Sequence, residues 1–221
     1  MKYTVTILMT EFVTHDVKRF IVTKPEGLDY RPGQGVELAI DQADWKEQAR
    51  PFTPTSLLDD RVLEFTIKGY PDHHGVTEKL HTLRPGDQLL MSEPFGTIEY
   101  AGPGTFIAAG AGITPFMAII RMLASEGRLE NHGLLFSNKR PADIICAKEF
   151  KHYMGRRCRF ICSRESAPEC ESGRIDRAFL EQNIDDFDQH FYVCGPPKFV
   201  SSVNDALKAL GAAPDALVFE R

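Results

Sequence analysis

Polar and apolar residues alternate along residues 3–9, and short β-branched or aromatic runs recur at residues 17–23, 36–40, 52–57 and 62–68. Each run has the length of a strand, and turn residues separate them: Pro25-Glu26-Gly27, Arg31-Pro32-Gly33 and Asp59-Asp60. Regular short strands of this kind predict an antiparallel barrel or sandwich. One helix interrupts them at residues 76–83, stopping at Arg84-Pro85-Gly86-Asp87 because a proline cannot continue it.

After Tyr100 the pattern changes. Strands are predicted at residues 105–109, 133–137, 159–163, 190–194 and 216–219, alternating with helices at 113–124, 144–153, about 177–182 and 198–210. Strands alternating with helices predict a parallel sheet covered by helices on both faces. The chain therefore reads as two domains, an antiparallel β-barrel over residues 1–101 and an α/β parallel-sheet domain over 102–221, dividing near Gly102-Pro103-Gly104.

Composition narrows the classes of function. Of the 221 residues, 43% are hydrophobic and 26% charged, ordinary usage for a chain that buries a core. The 26 basic and 31 acidic side chains leave a net charge of −5, so no nucleic acid is expected as a partner. Five cysteines, an odd number confined to the second half, make no disulfide framework and predict a reducing, cytoplasmic setting. The N-terminus lacks a basic segment followed by an apolar block, so no signal peptide is expected. Residues 100–120 are uncharged, but Gly102, Gly104, Gly110, Gly112, Pro103 and Pro115 suit a strand, turn and helix start, so no membrane association is expected either.

Three segments are candidates for chemistry. The first is Gly110-Ala111-Gly112-Ile113-Thr114-Pro115 between an apolar strand and a helix. Glycines let a backbone approach a phosphate, and the free N–H groups of a helix start stabilise its charge. The same turn would serve tight strand-to-helix packing, and it is not the G-x-G-x-x-G fingerprint of dinucleotide sites. The second is Arg50-Pro51-Phe52-Thr53-Pro54-Thr55-Ser56: a guanidinium fork for phosphate, an aromatic for a planar ring, and hydroxyls for ring polar atoms. An edge strand with a surface arginine would look the same. The third is His73-His74-Gly75-Val76-Thr77 at the start of the first helix. No partner stands at zinc-ligand spacing, so no metal is expected.

These segments in this order, with Cys194-Gly195-Pro196-Pro197 after the penultimate strand, resemble the ferredoxin–NADP reductase superfamily, in particular compact bacterial flavodoxin or ferredoxin–NAD(P)H reductases. The resemblance spans essentially the whole chain. It implies an FAD-binding barrel followed by an NAD(P)-binding domain, with FAD favoured over FMN and NADPH or NADH as co-substrate. Arg50, Pro51, Phe52, Thr53 and Ser56 match the family's flavin motif, which implies that Arg50 holds the flavin phosphate, Phe52 lies against the ring and Thr53 bonds near its N5. The segment Thr66-Ile67-Lys68-Gly69-Tyr70 looks like the family's strand that flanks the flavin, which implies that Ile67, Lys68 and Tyr70 lie beside it. Gly75, Val76 and Thr77 are similar to the pyrophosphate cradle, one residue shorter. Gly110, Gly112, Thr114 and Pro115 match the nicotinamide-nucleotide turn, and Cys194, Gly195 and Pro196 the segment beside the nicotinamide. Ser163 and Arg164 stand where some relatives hold the NADP 2′-phosphate, although Glu165 follows directly. Glu220 matches a glutamate that approaches the nicotinamide in relatives, but no aromatic follows it to cover the flavin as in several of them, which implies either a flavin face more open to the nicotinamide or acceptor or one covered by Phe219; a frayed terminus is the other reading.

The resemblance implies hydride transfer from NAD(P)H to FAD, with Thr53, Cys194 and Glu220 in catalytic roles, and electrons passed on to a separate carrier such as ferredoxin or flavodoxin. Arg19, Lys24 and Arg31 are candidates for docking that carrier. The cysteines do not match the spacing of an iron–sulfur fusion, and Cys158 and Cys162 read as buried packing. The alternative is a non-catalytic or regulatory flavin-binding electron-transfer module of a larger complex.

Overall fold

The computed structural model describes residues 1–70, 72, 74–96, 98–213 and 217–219, with Phe219 described as backbone. The first half is a six-stranded antiparallel sheet of β1 (Tyr3–Phe12), β2 (Val17–Thr23), β3 (Val36–Ile40), β4 (Arg50–Phe52), β5 (Val62–Lys68) and β6 (Gln88–Met91). Its order is β4-β3-β6-β1-β2-β5. Inward-facing Val5, Ile7, Phe20, Val22, Leu38, Leu63, Phe65 and Leu89 form its core, as period-two patterning requires. Helix α1 (Val76–Thr82) closes one end, burying Val76 and Leu80 in the same core.

The strand expected at residues 52–57 is a correction. β4 stops at Phe52, and the chain then crosses to the far edge, where Pro54 bridges Phe65 and the Thr55 N–H donates to the Glu64 carbonyl at 2.7 Å. Pro54 has no N–H to offer, so the ladder cannot run on regularly through it, whereas Pro51 is accommodated on the edge strand β4. This crossing strap nearly closes the sheet into a barrel. β6 has no counterpart among the expected strands; it is four residues long and half of it faces the core.

The second half is a parallel sheet of β7 (Gly104–Ala109), β8 (His132–Asn138), β9 (Cys158–Cys162), β10 (Glu171–Ser172), β11 (His190–Cys194) and β12 (Leu217–Phe219), in the order β10-β9-β8-β7-β11-β12. Its strands are apolar on both faces. Phe106, Ala108, Leu134 and Phe136 pack under α2 (Thr114–Ser125) and α3 (Ala147–Met154), while Ile107, Leu135, Phe191 and Val193 pack under α4 (Arg177–Asn183) and α5 (Pro197–Ala209). β10 was not expected; it is a two-residue edge.

The halves share a core. Val17 of β2 and Ile98 pack with Phe116, Ile119 and Ile120 of α2. Gly33 makes that approach possible: at φ +97° it is left-handed, and a Cβ there would stand 2.2 Å from the Ile98 carbonyl oxygen. The connecting segment is held by Tyr192, whose hydroxyl accepts from the N–H of Ala101 and Gly102 and donates to the Gly102 carbonyl at 2.7 Å. Among the described residues no helix is long and apolar enough to cross a membrane.

Candidate active site

β7 and β11 are neighbours, yet β7 feeds α2 on one face of the sheet and β11 feeds α5 on the other. Their carboxyl ends therefore part, leaving a crevice of the kind where open parallel sheets bind ligands. Two helix N-termini frame it. Pro115 and Pro197 sit in the first turns of α2 and α5, where a missing N–H costs nothing. Gly112 is what lets the two turns meet: a Cβ on it would lie 2.4 Å from the Cys194 carbonyl oxygen.

The barrel supplies the opposite wall. The resulting cleft, about 530 Å³, is lined on one side by Gly35, Pro51, Phe52, Thr53, Thr66, Ile67, Lys68, Tyr70 and Thr77. On the other side stand Ala109, Ala111, Gly112, Thr114, Pro115, Cys194, Gly195, Pro196 and Pro197. Its size is that of a small-molecule site. The lining combines ring-sized apolar surfaces with hydroxyls of Thr53, Thr66, Thr77 and Thr114 and two positive helix ends, a donor set that fits a planar ring carrying phosphates. A larger depression of about 690 Å³, with Asp186, Asp188 and His190 in its wall, lies at the amino ends of the same strands, away from the crevice.

Two matches decide the relationship. An oxidoreductase FAD-binding domain family matches residues 4–100, and an oxidoreductase NAD-binding domain family matches residues 106–205. The chain belongs to the ferredoxin reductase-like superfamily. Among its relatives in this superfamily is the ferredoxin–NAD(P)+ reductase component of the naphthalene 1,2-dioxygenase system of Pseudomonas putida, 25% identical over 95% of this chain and 66% of that protein. NADH-cytochrome b5 reductase 1 of Coccidioides immitis is 29% identical over 90% of this chain and 71% of its own length. The chain spans from 52% to 71% of the length of such relatives. The fold matches the FAD/NAD-binding domain of nitric oxide dioxygenase from Vibrio cholerae with a TM-score of 0.88, at 23% identity, covering 98% of this chain and 97% of that one. A ferredoxin NADP+ reductase from Neisseria gonorrhoeae, solved with FAD and NADP, matches at 0.83 and 20% identity, covering 96% and 93%.

Within this reductase fold the cleft brings together Pro51, Phe52, Thr53, Ile67, Lys68, Tyr70, Thr77, Gly112, Thr114, Pro115, Cys194, Gly195 and Pro196 from the sequence expectation. Thr53 is buried, and the Lys68 ammonium is paired with Asp16 at 2.7 Å. Others stand elsewhere. Arg50 is exposed at the start of β4, where its guanidinium donates to the Ala49 carbonyl at 2.7 Å. Ser56 is buried away from the cleft: its hydroxyl accepts from the Glu64 N–H at 3.0 Å and meets the Tyr30 hydroxyl at 3.1 Å. Burial pushes that Tyr30 phenol up to about 12. Val76 points into the barrel core and Gly75 caps α1 through its backbone. Gly110 opens the turn at φ +54° without lining the cleft. Ser163 and Arg164 follow β9, two strands from the crevice, and their N–H groups bond the Asn138 and Lys139 carbonyls. His73 and Glu220 lie outside the described residues, as does the Phe219 side chain.

Sequence reasoning missed Gly35, and placed Thr66, Ala109, Ala111 and Pro197 in a strand or motif without assigning them to the site. Membership of a recognised motif was the available signal for Ala111 and Pro197, and position beside one for Ala109; Gly35 had none. Cys158 and Cys162 are buried in β9, and burial pushes both thiols up to about 12, with Cys170 adding to the rise at Cys162, which disfavours the reactive thiolate. Among the described residues no three His, Cys, Asp or Glu side chains are grouped to hold a metal.

Proposed function

We propose that this chain is an FAD-dependent NAD(P)H oxidoreductase that delivers electrons to a separate protein carrier, a ferredoxin or flavodoxin. The observation that carries the reading is the cleft whose walls are the Pro51–Thr53 strap and the Gly112–Pro115 and Cys194–Pro197 turns. FAD, when bound, accepts a hydride and releases electrons singly. The residues of the chain orient the partners. Phe52 and Tyr70 offer apolar surfaces for rings, the Thr53 hydroxyl offers a donor, and the N-terminal ends of α2 and α5 favour phosphate charge. We assign residues 1–101 to flavin binding and 102–221 to the nicotinamide nucleotide, in keeping with the two sheets and the family matches. Ser163 and Arg164 are assigned to a 2′-phosphate, which favours NADPH, because an arginine pairs with a phosphate through two parallel bonds. Glu220 is assigned to the nicotinamide on the resemblance. A cytoplasmic setting is part of the reading and is supported by five cysteines of which none is in a disulfide.

The test is anaerobic titration of the purified protein with NADPH and, separately, NADH, following flavin absorbance. Bleaching by NADPH well below the NADH concentration needed is the expected result. Equal or better response to NADH removes Ser163 and Arg164 from the specificity assignment; a protein that binds no added FAD overturns the whole reading.

A further inference from the structure

Helix α2 begins in one wall of the cleft, with Thr114 and Pro115, and carries a partly buried arginine that the nucleotide turn does not use. Arg121 stands six residues past Pro115, about 9 Å further along the axis at 1.5 Å per residue. Its Nη1 donates to the Thr55 carbonyl at 2.6 Å and to Glu64 Oε1 at 2.7 Å. Its Nε and Nη2 grip the two oxygens of Glu149, on α3, at 2.6 and 3.0 Å. The Arg121 and Glu64 side chains are only 16% and 14% exposed. Thr55 reinforces the joint by donating its hydroxyl to Glu64 Oε1 at 2.6 Å.

The opposite wall of the cleft grows from these same partners. Thr53 lies two residues before Thr55 on the strap, and Thr66 two residues after Glu64 on β5; both line the cleft. One guanidinium thus ties the bar bearing Thr114 to the strap bearing Thr53, while not itself lining the cleft. We propose that Arg121 is a positioning residue that sets the separation of the two cleft walls, and with it the approach of nicotinamide to flavin. The inference rests on the proposed function. The chemistry calls for arginine: a planar fork spans a carbonyl and two carboxylates at once, whereas the ammonium of a lysine is a point charge.

The test uses flavin-loaded Arg121→Met and Arg121→Lys, mixed rapidly and anaerobically with the nucleotide that reduces the parent, with rates expressed per bound flavin. Arg159→Met is the control, because Arg159 pairs with Glu171 inside one sheet. FAD affinity and the long-wavelength absorbance of the flavin–nicotinamide complex are read alongside. A 1 Å misplacement is enough to slow transfer severely, so Arg121→Met is expected to lose at least about tenfold in limiting rate, with FAD affinity within about threefold and a weakened long-wavelength band. Arg121→Lys is expected to fall between it and the parent, and Arg159→Met to match the parent. Parent rate and band in Arg121→Met overturn the inference, as does a loss that tracks FAD affinity or that Arg159→Met shares. If Arg121→Met does not fold, a parent rate in Arg121→Lys overturns it. A parent that neither nucleotide reduces overturns the functional reading itself; a reduced parent with unaltered variants overturns this inference alone.

Discussion

At the scale of single residues, the crevice depends on what is absent at position 112. A methyl there meets the Cys194 carbonyl carbon at 2.6 Å and the Gly195 nitrogen at 2.6 Å, all backbone, so neither neighbour yields by rotating a side chain. Gly112→Ala is therefore expected to destabilise the protein by about 1–3 kcal/mol through overpacking. It should also widen the turn, weakening nucleotide binding more than flavin binding. Chemical denaturation and separate titrations with nucleotide and FAD check both parts; unchanged stability would contradict the close approach. Gly112 was legible in the sequence through its motif, but the reason for it was not, because Cys194 is eighty-two positions away along the chain. Ser56 shows the converse. Its motif match is clear, yet its hydroxyl is engaged by Glu64 and Tyr30, partners that no local pattern names.

At the scale of elements, α1 is fastened to β5 and β2 by its last turn. Buried Lys18 of β2 donates to the carbonyls of His81 and Leu83, placing a cation at the helix C-terminus where the dipole favours it. His81 in turn meets the Ile67 carbonyl at 2.9 Å on the strand that lines the cleft. Burial, helped by the Lys18 charge, holds the His81 imidazole below its ordinary value of 6.5; the Ile67 bond and Asp16 oppose this only in part. A depressed folded value means that the unfolded chain binds the proton first. The contribution of neutral His81 is thus complete above about pH 6.5 and is lost as pH falls through the lower folded value. Thermal melts between pH 7.5 and 5.5 are expected to show falling stability that His81→Gln flattens; an identical slope in the variant would reject the assignment. The 17–23, 36–40, 62–68 and 190–194 strands were read from the sequence to the residue because alternation or an apolar run is a local property. The 52–57 strand failed because the chain leaves β3 after Phe52 and Pro54 bridges Phe65 instead, a choice set by β5 on the far edge.

At the scale of the whole molecule, a shared core and the Arg121 joint link the two sheets, and Tyr192 pins the segment that connects them. The Tyr192 hydroxyl is the simplest of these to remove. Tyr192→Phe leaves the Ala101 and Gly102 N–H groups without their acceptor in a partly buried segment, and is expected to cost about 1–3 kcal/mol. Urea denaturation measures that loss, and flavin absorbance should stay unchanged because the anchor lies away from the cleft. A variant as stable as the parent would mean that water replaces the hydroxyl.

The sequence by itself determined most of the strands and helices, though not β6, β10 or the end of β4, together with the change from antiparallel to alternating architecture and the motif segments that wall the cleft, since each is written in local periodicity, turn residues or short motifs. Only the tertiary structure decided which members of those motifs face the cleft. It set the Pro51–Thr53 strap against the Gly112 and Cys194 turns, withdrew Ser56 and Val76 into packing, and gathered Thr55, Glu64 and Glu149 around Arg121. These outcomes depend on contacts between residues far apart in the chain, and such contacts exist only once both sheets have closed on their shared core.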